Sequence, residues 1–129
     1  MNWRTRLVAA VVAGVLVAAG VAVRSQLTGA FAKNGGVALY AALVYALVVF
    51  LVPRGSPLRA GAVALGLCWA IEFAQLTPVP AALSAHGRLA RMVFGTTFHP
   101  PDLLWYAVGV AVMVALHSAA RRVVVTRRR

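Results

Sequence analysis

Only two carboxylates, Glu72 and Asp102, occur among the 129 residues of this chain. Both stand near the ends of long apolar runs, close to other polar side chains. Glu72 is followed three residues later by Gln75, which on a helix puts the two on one face. Asp102 has His99 three residues before it and Tyr106 one turn after it. Carboxylate, imidazole and phenol can pass protons or accept hydrogen bonds from a ligand, and an unperturbed imidazole titrates near ~6.5. Arg24 and Arg88, expected on the same side, would add cationic clamps for an anion. Arg24, Glu72, Gln75, Arg88, His99, Asp102 and Tyr106 are therefore the candidate ligand-binding polar cluster. Whether any of them is catalytic is not fixed by spacing.

Each residue also has a simpler reading. An ionised acid deep in a membrane costs about 2.5–3.5 kcal/mol on insertion scales. Glu72 should thus be protonated or paired with Arg24, Arg88 or Arg91, which would lock a helical bundle. Asp102 opens a helix after Pro100 and Pro101, where free N–H groups and the dipole favour an acid. His117 falls near a helix C-terminus, where a cation suits the dipole, and His86 reads as a hydrogen-bond partner. Trp3, Trp69 and Trp105 suit interfacial anchors, while Cys68 and Met113 read as filler. With one cysteine and no paired helical motif such as HExxH, no metal or other cofactor is expected.

The elements that must position these groups follow from composition. Hydrophobic residues form 62% of the chain and charged residues 12%, against about 45–50% and about 25% in soluble domains. Mean hydropathy is +0.85. A chain this short cannot hide so much apolar surface from water, so lipid is the expected solvent. The net charge of +11 would suggest nucleic acid in a soluble protein. Here the basic residues sit at the ends of apolar runs, with no basic face interleaved with aromatics, so nucleic acid is excluded.

The fold class expected is all-α, a single membrane domain built as an integral bundle of four transmembrane helices. Spans fall at about 7–25, 35–53, 57–76 and 102–120, each near the ~20 residues a bilayer needs. Pro78 and Pro80 end the third. Between them and Pro100, a short interfacial or re-entrant helix is expected at about 81–94. A basic tail covers 121–129 and would lie against anionic headgroups. Arg4, Arg6, Arg54, Arg59 and the tail arginines outweigh Arg24, Lys33, Arg88 and Arg91, which places both termini in the cytoplasm and the protein in the plasma membrane. The first apolar run exceeds the usual ~7–15-residue signal-peptide core, so it reads as a retained helix. Small residues recur every four positions: Ala10, Gly14, Ala18 and Ala22; Ala62, Gly66, Ala70 and Ala74; Ala107, Ala111, Ala115 and Ala119. Such stripes are expected to face neighbouring helices.

The series Glu72-Phe-Ala-Gln75, Arg88, then Gly95-x-x-Phe98-x-x-x-Asp102-Leu-x-x-Tyr106-x-x-Gly109 resembles the small bacterial membrane proteins grouped as domain of unknown function 2809. It is similar, more distantly, to VanZ-like proteins, in which an ExxQ pair precedes an Asp-x3-Asn-x2-Gly element; here tyrosine replaces the asparagine. The resemblance spans about Arg24 to Ala115. One departure is Gly36-Val37-Ala38-Leu39-Tyr40-Ala41, where the family commonly has Gly-Asp-x-Leu-Trp-Ala. The resemblance implies no defined reaction, and for the VanZ-like relatives a link to the cell envelope and glycopeptide resistance.

The function expected is a multi-pass membrane protein with a polar site on the extracytoplasmic side. Its partners are membrane lipids and a lipid or cell-envelope ligand; the oligomeric state is not indicated. The alternatives are a membrane-embedded enzyme acting on a lipid-linked headgroup, with Glu72 or His99 as base and Arg88 as clamp, or a small transport component.

Overall fold

The structure, a computed structural model, describes residues 2–78, 82, 85–88 and 100–128. Four helices carry it: α1 (Asn2–Gln26), α2 (Gly29–Leu51), α3 (Pro57–Ala74) and α4 (Pro100–Arg128). Each is long and apolar enough to cross a membrane. The expected short helix at about 81–94, and with it His99, lies largely outside the described residues.

Local chemistry sets the boundaries. Leu27 and Thr28 separate α1 from α2. The turn is completed by Gly29 at φ +83°, a conformation that side-chain-bearing residues rarely adopt. Ser56 caps α3, its hydroxyl accepting from the Arg59 N–H at 3.2 Å, and Pro57 takes the first helical position, where no N–H is needed. At the other end the Gln75 N–H closes the last turn on Glu72 and Ile71 carbonyls, with Pro78 following.

Three of the helices run past their apolar stretches, while α3 stops at Ala74, two residues short of its own. α1 includes Arg4 and Arg6, α2 starts at Gly29 and takes in Lys33, and α4 continues through the basic segment to Arg128. No glycine or proline interrupts residues 121–128, and arginine is a good helix former. Hydropathy marks where lipid would end, not where backbone hydrogen bonding does.

α2, α3 and α4 pack against one another, while α1 packs chiefly on α2. The shared core contains Ala41, Tyr45 and Val49 from α2, Ala60, Ala64 and Cys68 from α3, Tyr106 and Val110 from α4, and Ala9 from α1. Two glycines allow the close approach. A methyl group on Gly61 would come within 2.6 Å of Val114 Cγ2, and one on Gly109 would overlap the Ala38 carbonyl oxygen of α2. Elsewhere the helices turn valine and leucine outward, among them Val11, Val15, Leu47, Val63 and Leu116, the surface that suits a lipid surrounding.

The small-residue stripes are not the packing faces. Ala10, Gly14, Ala18 and Ala22 are all exposed, as are Ala62, Gly66 and Ala70, and Ala111, Ala115 and Ala119. On α3 the buried row is Ala60, Ala64, Cys68 and Glu72. On α4 it runs through Tyr106, Gly109 and Val110. The cause is physical. An alanine-rich helix offers small residues on several faces, and the face that turns inward is the one bearing the polar group lipid would reject.

Candidate functional site

Counting back from Glu72 in steps of four gives Cys68, Ala64 and Ala60, so the acid ends the inward row of α3. Its side chain is 0% exposed, and it is the one charged residue buried among the described residues. On α4, Tyr106 sits in the second turn with its ring buried. Its hydroxyl donates to Glu72 Oε2 at 3.1 Å. A buried intramolecular hydrogen bond contributes about 0.5–1.5 kcal/mol net, and leaving either partner unsatisfied costs more.

Two further contacts frame the pair. The Tyr40 ring of α2 meets the Tyr106 ring at 6.1 Å between centroids, tilted by 52°. The Trp69 indole N–H donates to the Leu103 carbonyl at 3.0 Å, a second tie between α3 and the start of α4. Trp69, expected as an interfacial anchor, thus also joins two helices. Gln75 and Asp102 are half-buried, and Gln75 Oε1 and Asp102 Oδ1 are shielded from solvent. Asp102 lies one turn before Tyr106 on the same helix face.

Glu72 and Tyr106 are therefore in direct contact, with Gln75 and Asp102 in the adjoining turns of the same two helices. Arg24, in the last turn of α1, and Arg88, in the stretch between α3 and α4, are exposed. His99 lies outside the described residues, as does Arg91; His86 is exposed. Among the described residues, no group of three His, Cys, Asp or Glu side chains is placed to hold a metal ion.

Spacing did not single out Tyr40 as a member of the cluster. The signal was a phenol in the middle of an otherwise apolar run, which must find a polar partner or turn inward. The same signal marks Tyr45, whose hydroxyl lies 2.6 Å from His117 Nδ1. That second polar pair joins α2 to α4 three turns from Tyr106. His117, expected near the C-terminus of its helix, lies inside α4, which continues to Arg128, so the helix dipole does not reach it and the hydrogen bond to Tyr45 is what holds it.

A buried carboxyl group beside a phenol can accept hydrogen bonds from hydroxyl or amine donors and can exchange a proton with them. The family described as "Protein of unknown function (DUF2809)" matches residues 26–110. That span holds Tyr40, Glu72, Gln75, Arg88, His99, Asp102, Tyr106 and Gly109, and leaves out Arg24 and His117. No curated protein and no solved structure matches the chain.

Proposed function

Because the chain belongs to the DUF2809 family, for which no activity is defined, we propose from its own residues that it binds an amphiphile of the cell envelope by the headgroup. The site is the Glu72–Tyr106 pair. In this reading both termini are cytoplasmic in a bacterial plasma membrane, and the pair lies beneath the extracytoplasmic face. The positive residues at the terminus-bearing end support that orientation.

One observation carries the reading: a wholly buried Glu72 inside a helix apolar enough to span a membrane. Intramembrane acids are expensive and mark binding or transfer sites by default. Exposed Arg24 and Arg88 suit a phosphate, while Glu72 suits hydroxyl or amine donors further along the headgroup. A lipid-linked sugar or amino-acid headgroup combines the two. The fainter likeness to VanZ-like proteins points the same way, toward the envelope.

Native mass spectrometry of protein extracted in mild detergent tests this. Wild type should carry a bound amphiphile, and Glu72→Gln should lose it while melting within a few degrees of wild type. The two ties between α3 and α4, Tyr106 to Glu72 and Trp69 to Leu103, favour a second reading in which the pair only locks the bundle. That reading requires Glu72→Gln to melt much earlier, with no change in bound mass.

A further inference from the structure

A cavity opens toward the end of the bundle away from Glu72. Because α1 leans chiefly on α2, a groove of about 600 Å³ is left between α1 and α4 with α2 as its floor. That volume falls within the ~300–1,000 Å³ of ligand sites. Its walls are Val8 and Val12 on one side and Met113 and Leu116 on the other, with Val49 beneath. The floor also carries the hydrogen-bonded Tyr45–His117 pair. Arg4 and Arg121 stand among the lining residues toward the helix termini, Arg121 one turn beyond His117. Arg6, Arg59, Arg122 and Arg127 lie toward the same end, whereas both acids of the chain, Glu72 and Asp102, lie toward the other.

We infer that this groove holds one anionic phospholipid of the terminus-side leaflet, its phosphate between Arg4 and Arg121 and an acyl chain along the valine, methionine and leucine walls. Charge complementarity identifies the occupant. The mouth has two guanidiniums and no opposing carboxylate, and the walls within are mostly apolar, with the Tyr45 hydroxyl taken up by His117. A zwitterionic lipid would bring a second cation to an already basic mouth. A peptide would bring backbone groups that these walls cannot satisfy. The inference is independent of the Glu72 reading, which concerns the other end of the helices.

The test uses the full chain in phosphatidylcholine bilayers containing an equal fraction of phosphatidylglycerol, extracted into mild detergent and weighed intact. Each basic residue near an anionic headgroup favours it by a factor of about five, so with two of them phosphatidylglycerol should be retained about twenty-five-fold over phosphatidylcholine. In R4Q/R121Q the preference should fall to about parity. R59Q/R127Q removes the same charge from the same end outside the groove and should keep it. Val8→Trp, filling the groove from its exposed rim, should lower retention of both lipids. Equal retention by wild type overturns the inference, as does an equal loss in both double variants or unchanged retention in Val8→Trp.

Discussion

The Tyr106 hydroxyl donates to the Glu72 carboxylate at 3.1 Å, joining the last turn of α3 to the second turn of α4. Removing each partner should have unequal effects. Tyr106→Phe keeps the ring and leaves a fully buried acid short of a donor. It should destabilise by about 1–3 kcal/mol. Glu72→Gln keeps an oxygen that can accept the same bond and should cost less than about 1.5 kcal/mol. Thermal unfolding in detergent, followed by circular dichroism, orders the two; the reverse order would remove the hydrogen bond from the account.

Gly109 allows α2 and α4 to touch. Gly109→Ala would push a methyl group into the Ala38 carbonyl, 3.0 Å from its carbon. Overpacking of this kind costs about 1–3 kcal/mol, more when backbone must yield. Gly14 has nothing within 4 Å of an added Cβ, so Gly14→Ala should be neutral or stabilise by up to about 1 kcal/mol. Equal melting temperatures for the two variants would show that the helices do not approach as described.

Tyr45→Phe removes the hydroxyl that meets His117 Nδ1 at 2.6 Å, a loss of about 0.5–1.5 kcal/mol. Tyr106 and His117 are eleven residues apart on α4, about 16 Å along the helix. Effects at the two polar pairs should therefore add within about 0.5 kcal/mol. A Tyr45→Phe/Tyr106→Phe double variant measures this; a larger coupling would mean that α4 responds as one unit.

The fold and the proposed orientation also predict labelling. Cys68 is 0% exposed, so native protein in membranes should resist maleimide. In a Cys68→Ala background, Ser25→Cys should react from outside intact cells and Ser56→Cys only after the membrane is opened. The opposite pattern would invert the topology.

The four long helices were legible because an apolar run of this length has one solution in lipid. Boundaries were not, since Arg4, Lys33 and Arg121 interrupt hydropathy without interrupting backbone hydrogen bonds. The inward faces were misread for a related reason. Ladders of small residues such as Ala62, Gly66 and Ala70 look like contact stripes but point to the surface, while Glu72, Tyr106, Tyr45 and His117 mark the true interior. Polar residues inside apolar helices carry the rotational information that small residues lack. Gly61 and Gly109 were illegible as contacts, because a close approach depends on what the neighbouring helix presents. The Glu72 and Tyr106 positions were legible as candidates; that they touch follows only from the packing of α3 on α4.

The central claim is that Glu72 meets a headgroup. With only two side-chain carboxyl groups in the chain, infrared difference spectra can resolve them, Glu72→Gln and Asp102→Asn assigning each band. Adding envelope lipid extract to purified protein should shift the Glu72 carboxyl stretch, with no such shift in Glu72→Gln. A Glu72 band that stays put while lipid binds would contradict the claim and leave the pair as a bundle lock.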